Sequence, residues 1–164
     1  MVAIERMSIL YDNIKIRAIR SDEFQKWRRD VVRLYANKAA DTLGGEPDLY
    51  LAEAERQTLI ELPNGLGSKN QEIYIIEVNS KAVGSLWTRV DIKRGRAFIL
   101  SIEVDVKKRM LGIGAQVLRM LERSLRERGV GILEAHFFGV DKALVDRLTV
   151  EGFHCSEYVM EKRL

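Results

Sequence analysis

Two glycines and three cations are the residues best placed to do chemistry in this chain. Lys107, Lys108 and Arg109 come just before Gly112-Ile113-Gly114-Ala115, and the glycines divide an apolar run from an amphipathic one. Ala97 to Val106 reads as a strand, because Phe98, Ile99, Leu100, Ile102, Val104 and Val106 form a nearly continuous apolar run of the kind buried on both faces. From Ile113 onward Val117, Leu118, Leu121 and Leu125 follow helical spacing, and Gly129 supplies a C-terminal stop. A helix start carries unpaired N–H groups and the positive end of a dipole, and glycines let a ligand come close to the main chain. The chemistry this suits is the holding of an anion such as a pyrophosphate. The same glycines also suit plain tight packing of strand against helix.

Other phosphate-binding motifs fit poorly. A Walker loop requires Lys-Ser/Thr after its last glycine, whereas Gly114 is followed by Ala115-Gln116. A dinucleotide fingerprint requires a third small residue, and Val117 stands there instead.

The stretch from Val104 to Gly114, with Arg109-Met110-Leu111-Gly112-Ile113-Gly114 at its end, resembles the acetyl-CoA motif of the Gcn5-related N-acetyltransferases, Arg/Gln-x-x-Gly-x-Gly/Ala after a strand end. Downstream, Phe138-Gly139-Val140-Asp141-Lys142-Ala143, Glu151-Gly152-Phe153 and the ending Tyr158 to Leu164 resemble that family's C-terminal half. The resemblance is specific from about residue 71 to residue 164 and weaker before it. It implies an α/β (α+β) fold with a mixed, mainly antiparallel sheet, a splayed parallel pair of strands and flanking helices. It also implies acetyl-CoA as cosubstrate, with the pantetheine arm entering the splay and pairing with strand backbone at Ile102 and Val104. The phosphates would meet Arg109, Met110, Leu111, Gly112, Ile113, Gly114 and Ala115, with Asp141 at the next helix start. Arg119 or Lys142 is within sequence reach of a phosphate as well.

Acetyl transfer from a thioester to an amine needs a neutral amine, a stabilised oxyanion and a leaving thiolate. A lysine-like amine of pKa near 10.4 costs roughly 4.6 kcal/mol to deprotonate at pH 7, while a thiol near 8.5 costs roughly 2 kcal/mol to leave charged. The route for the amine's proton is therefore the larger problem. Glu103 is the first candidate for it, since it alternates opposite Ile102 and Val104 and lies beside the expected cofactor contacts. The competing reading is a strand-edge carboxylate paired with Arg or Lys. The oxyanion, by the resemblance, meets a backbone N–H at the Val104 strand end.

Two positions depart from the family. The usual Asn at the start of the short helix is Asp141, and the usual Tyr seven residues on, commonly assigned as the acid for the thiolate, is Leu148. Tyr158, His154 and Cys155 are the candidates to replace that acid, with Tyr158 first. His136, in the apolar run Ala135-His136-Phe137-Phe138, reads as a half-exposed strand histidine.

The elements that must position these groups follow in order. Lys15 to Arg20 alternates as a first strand, and Ser21 and Asp22 are N-cap residues for a helix with Phe24, Trp27, Val31, Leu34 and Tyr35 on one face. Leu43-Gly44-Gly45-Glu46-Pro47 breaks it, and a second helix runs from Pro47 or Asp48 to Leu62. By resemblance these helices wall the acceptor site, so Asp41, Glu46, Asp48 and Glu53 are acidic candidates to attract an amine, or simply helix-end charges. Gln71 to Asn79 and Ala82 to Asp91 form a hairpin, with Tyr74 and Trp87 either packing or facing the cleft. Ile132 to Phe138 is a strand, Asp141 to Val150 a short helix, and His154 to Lys162 a last strand. Arg119, Arg123, Arg126 and Arg128, interleaved with Glu122 and Glu127, read as a solvated helix face.

Composition sets the outer bounds. With 164 residues, 46% of them apolar, the chain is long enough for one good core and is expected to be a single domain spanning 1–164. A net charge of +3 and an isoelectric point of about 9.0 are a mild excess and no nucleic-acid footprint. One cysteine, Cys155, forms no internal disulfide, no zinc spacing is present and no metal is expected. No run approaches a membrane span, and a reducing, cytoplasmic setting follows. The start is assigned to neither Met1 nor Met7, and nothing marks a dimer interface, so a homodimer is left open. The expected activity is acetyl transfer to a primary amine in a small molecule or peptide by direct attack. A non-catalytic acyl-CoA-binding module and an interaction protein that keeps the fold are the alternatives.

Overall fold

A computed structural model describes residues 13–105, 112–136 and 142–157. Among the described residues five strands form one sheet in the order β1-β2-β3-β4-β5, with β1 at Ile14–Ala18, β2 at Gln71–Val78, β3 at Lys81–Asp91, β4 at Arg96–Val104 and β5 at Ile132–Ala135. The first three pairings are antiparallel and β4 with β5 is parallel. The helices are α1 at Ser21–Leu43, α2 at Leu51–Glu61, α3 at Ile113–Glu127 and α4 at Lys142–Val150.

Strand alternation sorts the sheet into two faces. Phe24, Trp27 and Val31 of α1 pack on Ile73, Ile75 and Trp87, with Leu100 beside them. On the other face Val117, Leu118, Leu121 and Leu125 of α3, with Leu148 of α4, cover Ile76, Leu86, Val90, Ala97, Ile99 and Val104. α2 reaches the first face through Leu62 and stacks on α1 through Ala36 and Ala54, both 0% exposed. Two small side chains allow that close crossing of helices.

Local chemistry explains the joints, with some changes from expectation. The hairpin turns at Asn79 and Ser80, both at positive φ (51° and 61°), the combination that a right-twisted two-residue turn requires. α1 starts at Ser21, yet neither Ser21 nor Asp22 caps it. Glu23 reaches back to accept from the Arg20 backbone N–H at 3.0 Å, one half of a capping box. Pro47–Tyr50 is a tighter 3₁₀ turn, so the second α-helix begins only at Leu51. β5 ends at Ala135, short of Phe138, and residues 153–157 form no strand; the rest of both expected strands lies outside the described residues. Among the described residues no helix is long and apolar enough to cross a membrane.

Candidate active site

The site is built at the C-terminal end of β4. Among the described residues β4 pairs with β5 from Arg96↔Ile132 to Ile99↔Ala135, and β4 itself runs to Val104. At that end the Asp105 N–H donates to the Val83 carbonyl at 2.8 Å, so the backbone of Glu103 and Asp105 faces β3. By alternation the N–H and C=O groups of Ile102 and Val104 face away from β3.

A β-bulge decides what lies on each face here. Trp87 pairs with Ser101 and Thr88 with Ile99, which leaves Leu100 as the extra residue. Simple alternation from Ile99 would carry Ser101 and Glu103 into the core under α3. The bulge reverses the parity, so Ile102 and Val104 join that core and Glu103 emerges on the α1 face. There Lys38 of α1 donates to Glu103 Oε1 at 2.7 Å. Glu103 is thus ion-paired with a lysine, as the second sequence reading has it.

The glycine turn leads straight into α3. Gly112 is the N-cap of α3 with φ 72°, in the left-handed region, and its carbonyl accepts from the Gln116 N–H at 3.1 Å. That is the first bond of the helix, so the N–H groups of Ile113, Gly114 and Ala115 precede any intrahelical acceptor. Ile113 is fully buried and anchors the helix start in the core. Gly114 is helical, and among the described residues nothing lies within 4 Å of a Cβ built on it. Packing among the described residues therefore gives no reason for a glycine there. Arg109, Met110, Leu111, Asp141 and Tyr158 lie outside the described residues.

Other sequence candidates are accounted for by partners. Asp48 pairs with Arg33 at 2.7 Å, and Glu53 is bound by Arg56 and Gln57, whose hydrogen bonds hold its carboxyl down to about 2. Asp41 and Glu46 are exposed. Trp87 is 5% exposed and donates to Gln71 at 2.7 Å, so it packs. Tyr74 also packs, donating to Glu72 at 2.8 Å; burial first, and then the Glu72 carboxylate, push its hydroxyl up to about 12. Arg119 is bound to Glu151 at 3.0 Å. Arg128 grips Glu72 through both oxygens and ties the end of α3 to β2, which makes it no part of a solvated face. Leu148 is 9% exposed and belongs to the core. His154 is exposed, as is Cys155, whose thiol donates to the Glu157 carbonyl; His136 stands edge-on to Phe98, mostly exposed.

Lys38 is the residue that sequence reading missed. The signal was present: Lys38 follows Trp27, Val31 and Leu34 at helical spacing, so the stripe that faces the sheet ends in a cation.

Comparison with known proteins agrees with this architecture. The curated relative described as the uncharacterized N-acetyltransferase YycN of Bacillus subtilis (strain 168) is 25% identical over 158 residues, covering 92% of this chain and 99% of that one. Its crystal structure superposes with a TM-score of 0.84 at 23% identity, over 92% of this chain and 98% of that chain. A GCN5-related N-acetyltransferase from Ralstonia eutropha JMP134 gives 0.65 at 16% identity, over 92% and 98%. AAC(6')-Iy, solved in complex with the bisubstrate analog CoA-S-monomethyl-acetylneamine, gives 0.58 at 18% identity, over 93% and 99%. The sequence profile of the Acetyltransferase (GNAT) family matches residues 21–145, a span that runs from the first turn of α1 through the glycine turn into α4. That match covers more than half of the chain, and this chain belongs to the GNAT acetyltransferase family.

Proposed function

We propose that the protein is an acetyl-CoA-dependent N-acetyltransferase, one domain over 1–164, that moves acetyl to a primary amine of a small molecule or peptide by direct attack in a cytoplasmic setting. The observation that carries this reading is Gly114, a helical glycine at the start of α3 whose Cβ position meets nothing within 4 Å among the described residues. A bare helix start with open approach suits a pyrophosphate. Arg109, Met110, Leu111 and Asp141 are proposed to complete its surroundings, and Ile102 and Val104 to offer backbone groups to the pantetheine arm. The AAC(6')-Iy complex, with its CoA-based ligand on the same fold, supports the assignment.

Glu103 is proposed as the acceptor of the amine's proton, and Tyr158 as the acid for the thiolate. The role proposed for Glu103 is supported by its pair with Lys38, which puts a carboxylate on the α1 face of β4, and α1 is proposed to wall the acceptor side. Leu148 favours one second reading, a non-catalytic acyl-CoA-binding module, because the core has absorbed the position of the usual acid.

The test is the shift in thermal midpoint with acetyl-CoA, with desulfo-CoA and ATP as controls. At a hundredfold excess over the dissociation constant, binding adds about 2.7 kcal/mol, or roughly 5–10 °C for a domain of this size. A shift with both CoA forms and not ATP, followed by thiol release with an amine, supports the enzyme. A shift with no thiol release for any amine supports the binding module, and no shift overturns both.

A further inference from the structure

Lys38 is the described amine placed most like an acceptor. Its Nζ lies 2.7 Å from Glu103 Oε1, its side chain is 45% exposed, and it stands on α1, which meets the C-terminal end of β4 through that pair. We infer that Lys38 is a site of self-acetylation, in which this chain's own side chain takes the place of the amine substrate. The inference rests on the proposed acetyl-CoA reading and names one amine within reach of that same site.

The step balances as follows. The Nζ lone pair attacks the thioester carbonyl carbon, an N–C bond forms, and the C–S bond breaks with its electron pair leaving on sulfur. Two protons leave the original ammonium nitrogen: one passes to Glu103 and on to solvent, and the other ends on the departing thiolate. The product amide carries no charge, so the ion pair that holds Glu103 to α1 is lost on modification. Acetylation of Lys38 thereby changes what an incoming amine meets at Glu103.

Two other lysines serve as internal references. Lys26 is paired with Asp30 on α1, twelve residues from Lys38 and thus about 18 Å along the helix. Lys93 sits in the turn before β4, at the opposite end of that strand from Glu103. Both feel the same bulk chemical acetylation.

The experiment incubates the full chain with acetyl-CoA and follows each lysine by peptide mass spectrometry. Expected is acetylation of Lys38 at least tenfold faster than of Lys26 and Lys93, at a rate per chain that does not change with protein concentration, and suppressed by excess desulfo-CoA. Lys38→Arg is expected to abolish the modified peptide, and Glu103→Gln to slow its formation at least tenfold while the acetyl-CoA thermal shift persists. A preserved thermal shift with Lys38 no faster than the references, or not suppressed by desulfo-CoA, overturns the inference alone. An absent shift overturns the cofactor reading and this inference with it. An unchanged rate in Glu103→Gln removes Glu103 from the step.

Discussion

A Cβ placed on Gly84 would stand 2.1 Å from the Glu103 carbonyl oxygen, closer than any side chain tolerates. Gly84 pairs with Val104, so this glycine in β3 lets the end of β4 lie where it does. Gly84→Ala must push Glu103 and Val104 away, and backbone cannot yield as a flexible side chain does. The expected cost is about 1–3 kcal/mol, read as a lower thermal midpoint, together with weaker acetyl-CoA binding. Gly67→Ala, whose Cβ would meet nothing nearer than 3.9 Å, is the control and should stay near wild type.

Gly114→Ala separates packing from ligand approach. The added methyl meets open space among the described residues, and alanine favours helix, so the midpoint without ligand should hold or rise slightly. Acetyl-CoA affinity, measured by calorimetry, should fall about tenfold or more as the methyl blocks the main chain. Unchanged affinity would sink the cradle assignment.

Acid should weaken the entry to α1. Hydrogen bonds from Arg17, and then from the Arg20 backbone, lower the Glu23 carboxyl from 4.5 to about 2. A depressed carboxylate adds stability that is full above pH 4.5 and lost as pH falls toward about 2. The midpoint gap between wild type and Glu23→Gln should thus be widest near neutrality, narrow below pH 4.5 and close near pH 2. A gap constant across that range would exclude the ion pair as its source.

Leu148 should behave as a core residue. Leu148→Ala is expected to cost about 2–4 kcal/mol by leaving a cavity among the α3 and α4 side chains. Leu148→Tyr should overpack the same space and lower the midpoint without speeding thiol release. Faster release in that variant would show that position 148 faces the site.

The order of elements and the chemistry of the turns were legible in the residues. Apolar periodicity marked α1, α3 and the hairpin strands, and glycines marked the breaks, because burial and backbone sterics act over a few neighbouring residues. The turn from β4 into α3 was legible for the same reason, since a strand end, two glycines and a helix start are all local. The register of β4 with β5 was not, because hydropathy alone does not say that Ile99 pairs with Ala135.

Three things waited for the tertiary structure. The bulge at Leu100 reverses strand parity and sends Glu103 to the α1 face, and only pairing with β3 reveals it. Lys38 and Glu103 are 65 residues apart, and their meeting depends on how α1 crosses the sheet. The burial of Leu148 depends on α4 packing against a core assembled from distant strands. Sequence by itself determined the local conformations and the family they compose. Long-range pairing decided which side chains share a site, because register and helix crossing are properties of contacts between segments and of no segment alone.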